Sequence, residues 1–195
     1  MSYRFSFDWF SHNSNNFLAV KNILPARKCI LEIGSFEGRS TVWLTKNLLK
    51  DGGNIVCVDT WTGGQEHKVI GMDMSAVEAR FDHNIAVLQA EEPNKKVIKK
   101  KGRSAYEVAG MIEWPAFDFI YVDGGHEATD VLTDAIMCWQ VLKPGGVMIF
   151  DDYGWADRPI GPLHPKPAID TFINLFYKDL TVLFINYQVA VQKKA

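Results

Sequence analysis

Residues 29 to 40, Cys-Ile-Leu-Glu-Ile-Gly-Ser-Phe-Glu-Gly-Arg-Ser, constrain the fold of this chain more than any other stretch. An apolar run ends abruptly at Gly34 and Gly38, and an amphipathic stretch from Ser40 to Leu49 starts at once. This predicts a strand, a tight turn and a helix whose free N–H groups face whatever lies beyond the strand. Val42, Trp43 and Leu49 fall on the core side of that helix, and Gly52-Gly53 stop it. Ile55-Val-Cys-Val-Asp59 follows as a second strand, nearly all apolar and therefore buried on both faces.

The alternation continues along the chain. Trp61 to Asp73 is glycine-rich and reads as a loop, after which Ser75 and Glu78 have capping-box spacing. Val77, Phe81, Ile85 and Leu88 then recur at helical intervals. A weaker strand lies around Val97-Ile98, a short helix over Tyr106–Met111 and a clear strand over Phe117–Asp123. Ala128–Leu142 is a strong helix ended by Lys143-Pro-Gly-Gly146, and Val147–Phe150 a fifth strand. A proline-rich loop over Pro159–Pro167, a helix over Ala168–Tyr177 and two antiparallel strands, Leu180–Asn186 and Tyr187–Val191, complete the series. Strands alternating with helices predict a doubly wound α/β domain with helices on both faces of a parallel sheet.

No repeat, low-complexity tract or linker divides the 195 residues, which fit one domain on a soft prior of roughly 150. Residues 1–27 are expected to form an N-terminal helical segment, and 61–90 a lid or substrate insertion. At 47% hydrophobic and 23% charged, the composition excludes disordered, collagen-like and coiled-coil chains. A formal charge of −2 gives no electrostatic argument for nucleic acid or a membrane surface. No apolar run approaches the roughly 18 residues of a membrane span, and Asp8 interrupts an aromatic N-terminus that is no signal peptide. Cys29, Cys57 and Cys138 sit far apart in apolar runs, as reduced thiols of a cytoplasmic protein do.

In a sheet of this kind ligands bind beyond the carboxyl ends of the strands. Asp59 lies 21 residues after Gly38, the spacing of an acid that binds ribose hydroxyls. The dinucleotide pattern G-x-G-x-x-G is not met, because the middle glycine is absent and Glu32 precedes the turn. A pyrophosphate would meet that carboxylate; a ligand with a cationic end and a ribose fits better. Asp123-Gly-Gly-His126 and Asp151-Asp152 end two further strands, and neighbouring strands lie about 4.8 Å apart. Their carboxylates either cap the following helices or converge on a cation, for which all-oxygen ligation suits Mg²⁺, Mn²⁺ or Ca²⁺.

With Gly102-Arg-Ser104 and Leu142-Lys-Pro-Gly-Gly146, these motifs resemble class I S-adenosylmethionine-dependent methyltransferases over roughly residues 28 to 152. Within that group they are similar to the cation-dependent O-methyltransferases of the catechol and caffeoyl-CoA types and to antibiotic-sugar O-methyltransferases. The resemblance implies a Rossmann-like seven-stranded sheet of order 3-2-1-4-5-7-6 with strand 7 antiparallel. It implies S-adenosylmethionine held by Glu32, Gly34, Ser35, Gly38 and Ser40 around its methionine part. Asp59 and Thr60 would meet the ribose, Ser104 the adenine, and Asp123 the cofactor from the next strand.

Asp123, Asp151 and Asp152 match the family's metal ligands, although the catechol-type enzymes have Asn at the position of Asp152. His126 falls where the catechol enzymes have a catalytic lysine, and Gly125 where some sugar enzymes have an acid. His126, with Asp123 beside it, is thus the candidate base, and its identity stays open.

The expected activity is O-methylation of a small hydroxylated acceptor, such as a sugar, a phenol or a natural product. A nicotinamide-dependent oxidoreductase and a catalytically silent cofactor-binding subunit are the alternatives. The residues Asp-Gly-Gly-His, in place of Asn/Asp-Pro-Pro-aromatic, argue against methylation of nucleic-acid bases. Trp61, His67, Tyr153, Trp155 and His164 lie in rim loops that could line an acceptor pocket, whereas Trp43 and Trp139 read as core. Phe5, Phe7, Trp9 and Phe10 could pack across a homodimer interface or over the active site. The lysines between Lys95 and Arg103 surround the third strand, an edge in the implied order, where they discourage pairing with other sheets.

Overall fold

A computed structural model describes residues 2–24, 28–111, 117–155 and 164–195. Seven strands form one sheet: β1 (Cys29–Ile33), β2 (Asn54–Asp59), β3 (Lys96–Lys101), β4 (Phe117–Val122), β5 (Leu142–Phe150), β6 (Leu180–Ile185) and β7 (Val189–Lys193). Their order is β3-β2-β1-β4-β5-β7-β6, as the resemblance implies. The first five strands in that order run parallel, and β7 lies antiparallel to both β5 and β6. The helices are α1 (Ser14–Val20), α2 (Arg39–Asn47), α3 (Gln65–Val69), α4 (Val77–Glu91), α5 (Ser104–Ala109), α6 (Ala128–Val141) and α7 (Pro165–Leu175).

Side chains alternate across a strand, so the near-continuous apolar runs feed two cores at once. Leu31, Val56, Ile120 and Met148 face one side, where Val131 and Cys138 of α6 and Phe172 of α7 cover them. Ile30, Ile55, Phe119 and Ile149 face the other, against Phe17 of α1, Leu44 of α2 and Phe81 of α4. Because β1, β2, β4 and β5 are aligned in register, Ile33, Val58, Val122 and Phe150 end together at one rim. That rim carries the site.

Several local expectations are corrected. Ser75 and Glu78 do not form a capping box: α4 starts at Val77 after Ala76, with no side-chain cap. Glu78 instead turns to Lys99 and Lys101 of β3, and the Ser75 amide donates to Asp73. The glycine-rich stretch after Trp61 contains the short helix α3. The helix α6 does end at Val141, just before Lys143-Pro-Gly-Gly146, but β5 already starts at Leu142 instead of Val147, and its register against β4 shifts between Phe117 and Phe119. Of the proline-rich stretch, residues 159–163 lie outside the described residues, and Pro165 already opens α7. The lysines of β3 do stand on an edge strand.

The N-terminal residues run across α2 and α4 before entering α1. Arg4 exchanges backbone hydrogen bonds with the Asn84 side chain, and Phe10 is buried against Phe17 and Trp43. The Ser6 amide donates to Glu37 in the turn after β1.

Candidate active site

A cleft of about 840 Å³ opens at the carboxyl ends of the parallel strands. Gly34, Asp59, Thr60, Ser104, Asp123, His126, Asp151 and Asp152 all line it. Its size and lining come from three loops that the strand ends push together.

Backbone geometry sets the first loop. Gly34 has φ +82°, and a Cβ added there would lie 1.7 Å from the carbonyl oxygen of Asp123. Only glycine permits that approach. Two bulky residues nearby, Phe36 at φ +45° and Trp61 at φ +54°, also hold left-handed conformations, which cost about 1–3 kcal/mol each. Asp59 offsets this cost. One of its carboxylate oxygens accepts the amides of Ser35 and Phe36 at 2.8 Å, and the other accepts the Trp61 amide at 2.6 Å. A carboxylate has about four acceptor sites, so Asp59 retains room for a ligand hydroxyl.

Four residues assigned to the cofactor by resemblance do not reach the cleft. Glu32 is fully buried beneath the loop, where one oxygen accepts from Ser35 and Thr41. Its other oxygen has no hydrogen-bond partner, and burial holds its pKa above the usual carboxylate value. Ser35 and Ser40 are buried with it. A Cβ on Gly38 would press on the Phe81 ring. In this geometry these residues shape the loop.

The acids of β4 and β5 converge as their spacing suggests, but they divide into two sets. Asp123, His126 and Asp152 bring one ligand atom each within 4.8 Å of one another. His126 Nε2 contacts one oxygen of Asp152, and the Tyr187 hydroxyl donates to the other at 2.6 Å. Asp152 sits at φ +57°, a conformation that Asp tolerates and that turns its side chain back over the rim. Asp151 points inward instead. The Tyr121 hydroxyl donates to one of its oxygens, and the Gln188 amide and the Asp152 N–H donate to the other. Asp151 lines the same cleft but is not one of the three residues whose ligand atoms come within 4.8 Å of one another.

The electrostatics match this crowding. Burial, followed by the charges of Asp151 and Asp152, pushes the Asp123 carboxyl well above its ordinary value. Burial and Asp152 raise Asp151 to about 6. Tyr121 and Tyr187 are raised as well, by burial and then by the neighbouring carboxylates. Like charges this close favour proton uptake or a bound cation.

Trp9, one of the aromatics expected either at a dimer interface or over the active site, reaches the cleft from the N-terminal segment. Other residues of the cleft are not evident from the sequence: His12 comes from the same segment, and Tyr187 from the turn between β6 and β7. Asp134 reaches it from the first half of α6, where it reads as one polar residue of an amphipathic helix. Its odd position on the apolar side, between Val131 and Ala135, is the one signal that could have exposed it. Among the rim aromatics, His67 and Trp155 line the cleft. Trp61 does not: it is 4% exposed, packs on Phe81 and donates to the Phe36 carbonyl. Tyr153 turns toward Asp170, and the His164 amide donates to the His126 carbonyl.

A family model described as a methyltransferase domain matches residues 31–153. The chain belongs to that methyltransferase family. This sets aside the oxidoreductase reading, and the fold is that of the class I enzymes that use S-adenosylmethionine. A proposed O-methyltransferase from Klebsiella pneumoniae shares 18% identity at a TM-score of 0.70, over 97% of this chain and 83% of that one. An O-methyltransferase from Bacillus cereus in complex with S-adenosylhomocysteine shares 19% at 0.63, over 96% and 84%. MycE, a methyltransferase of the mycinamycin pathway in complex with Mg²⁺ and S-adenosylhomocysteine, shares 16% at 0.64; this chain, 96% covered, spans 51% of it. No curated protein sequence matches this methyltransferase.

Proposed function

We propose that this methyltransferase is an S-adenosylmethionine-dependent O-methyltransferase, assisted by a divalent cation, that acts on a hydroxyl of a small acceptor. The convergence of Asp123, His126 and Asp152 in the cleft carries this reading. The two carboxylates supply oxygen ligands of the kind that suits Mg²⁺ or Mn²⁺, with open positions for further oxygen. Burial and the charges of Asp151 and Asp152 raise the Asp123 carboxyl, as expected where a compensating positive charge is missing. The Mg²⁺ reported for MycE supports the same reading.

For the cofactor, Gly34 and Asp123 would border the methionine part, Asp59 and Thr60 the ribose, and Ser104 the adenine. Methyl transfer is an in-line displacement, so the protein's task is to align two reactants and ready the nucleophile. The cation, when bound, supplies charge that lowers the pKa of the acceptor hydroxyl. His126 takes the proton from that hydroxyl, oriented by Asp152, which Tyr187 holds from behind. A second reading makes His126 a metal ligand, because its Nε2 is the ring nitrogen nearest the carboxylates.

Trp9 and His67 stack around Phe36 at the mouth, with Trp9–Phe36 centroids 5.1 Å apart. The N-terminal aromatics therefore serve as a cover for their own cleft, and residues 61–90 supply its other wall. The three cysteines are free, in keeping with a cytoplasmic setting. Among the described residues, no helix is long and apolar enough to cross a membrane.

The test is methyl transfer from labelled S-adenosylmethionine to a panel of phenols and sugars, with and without chelator. Activity should vanish with chelator and return with Mg²⁺ or Mn²⁺, and Asp152→Ala should lose metal while still binding S-adenosylhomocysteine. Full activity in excess chelator would remove the cation from the mechanism. Cofactor binding with no transfer to any acceptor would favour the silent subunit.

A further inference from the structure

Tyr121, near the end of β4, is fully buried on the face of the sheet that packs against α1, α2 and α4. Phe119, two residues earlier, lies on the same face. The Tyr121 ring meets Phe17 of α1 edge-on, with centroids 5.0 Å apart, and Phe10 of the N-terminal segment at 6.3 Å. A phenylalanine would make the same ring contacts. The hydroxyl is an addition to the core, and taking one out of water costs about 1–3 kcal/mol unless it finds a partner. Its partners therefore indicate what it is for.

Both partners are carboxylates. Side chains alternate along a strand, so Asp123, two residues on, falls on the face of Tyr121. Asp151 arrives beside them because β5 runs parallel to β4, with Phe150 opposite Val122 and the Asp151 amide on the Val122 carbonyl. The Tyr121 hydroxyl lies 3.0 Å from Asp123 Oδ2 and 2.5 Å from Asp151 Oδ2. One proton thus stands between two acceptors from neighbouring strands. The other oxygen of Asp151 is taken by the Gln188 side chain and the Asp152 amide. Asp123, held at Oδ2, is one of the three residues whose ligand atoms gather within 4.8 Å. A carboxylate fixed at one oxygen has little freedom left to turn the other.

We propose that Tyr121 is a positioning residue: from inside the core it holds Asp123 and Asp151 together and sets the orientation in which Asp123 meets His126 and Asp152. This rests on the proposed cation reading, since the orientation matters for what the three residues share. Phe10 and Phe17 keep the ring in place, so the N-terminal segment supports the carboxylates from behind as well as covering the mouth of the cleft. Without the hydroxyl the ring still packs, but two buried carboxylates lose the proton between them and turn apart.

The experiment titrates Mn²⁺ into wild type and Tyr121→Phe, following the ion by electron paramagnetic resonance, and measures S-adenosylhomocysteine binding by calorimetry. Removing the hydroxyl should weaken Mn²⁺ by about ten- to a hundredfold, the range for losing a group that orients a metal ligand. Binding of S-adenosylhomocysteine should not change. Leu44→Ala removes core volume on the same side of the sheet and brings no change of polar partners. It should lower the melting temperature and keep Mn²⁺ affinity. Wild-type Mn²⁺ affinity in Tyr121→Phe would overturn the proposal. So would a loss of both ligands by the same factor, an equal loss of Mn²⁺ in Leu44→Ala, or a Tyr121→Phe chain that does not fold, because a merely structural Tyr121 predicts each. If wild type itself binds no Mn²⁺, the cation reading fails, and the role of Tyr121 with it.

Discussion

His126 and Asp152, 26 residues apart in sequence, meet through Nε2 and a carboxylate oxygen at the end of two adjacent parallel strands. The contact makes one side chain answerable for two roles, since the same nitrogen either takes a proton or holds a cation. His126→Ala separates them. As the base, it should lose about 10²–10⁴ in turnover with metal and cofactor affinity intact. As a ligand, Mn²⁺ affinity measured by calorimetry should fall together with turnover. Unchanged turnover would remove His126 from the chemistry.

Asp59 steadies a strained loop and, on the proposed reading, meets the ribose of the cofactor. Its replacement by Ala should lower S-adenosylhomocysteine affinity by about 1–3 kcal/mol, measured by calorimetry. It should also lower thermal stability, because Phe36 and Trp61 lose the acceptor that keeps them at positive φ. Affinity lost without any change in melting temperature would assign Asp59 to the ligand alone.

Gly34→Ala should be severely destabilising. The added Cβ would lie 1.7 Å from the Asp123 carbonyl oxygen at a φ of +82°. Clash and left-handed strain together suggest about 3–5 kcal/mol, read from urea denaturation. A loss below about 1 kcal/mol would show that the two loops part without cost.

Asp134 makes a prediction about pH. Its folded carboxyl is raised to about 6 from an ordinary 3.8. Below pH 4 the group is protonated in both folded and unfolded chains and has no differential effect. Between pH 4 and 6 the unfolded chain releases its proton first, so wild-type stability falls as pH rises. Asp134→Asn has no proton to lose there. It should be more stable than wild type at pH 8 by about 1–3 kcal/mol, with the difference vanishing near pH 4. A constant difference across that range would mean that Asp134 does not titrate in the folded protein.

The sequence carries the sheet almost completely, because buried parallel strands such as Ile55–Val58 are continuous apolar runs and their acids mark the strand ends. It also brings Asp59, Asp123 and Asp152 to one cleft. It does not show that Asp151 turns inward, since that depends on Tyr121 and Gln188, which belong to other strands or turns. Nor does it show that Glu32 is sealed off: the hydroxyls that claim it come from Ser35 and from Thr41 on the next helix. Trp61 reads as a rim residue because its neighbours are glycines, but the Phe36 carbonyl and the Phe81 ring draw it into the core. Each miss is a side-chain orientation set by a partner outside the strand itself, which strand periodicity cannot encode.

The Glu37 side chain receives the Ser6 amide and hydroxyl as well as Arg80, so the opening residues are fastened to the turn after β1. β7, in contrast, starts beside Phe150 at the rim and runs away from it, and Lys193 ends against carbonyls of Trp139 and Leu142 at the opposite edge of the sheet. The N-terminal segment thus climbs from Tyr3, which reaches Glu91 at the far end of α4, to Trp9 beside Phe36 at the mouth of the cleft. A fluorescent label at position 9 would report on the cleft, and one at position 3 would not.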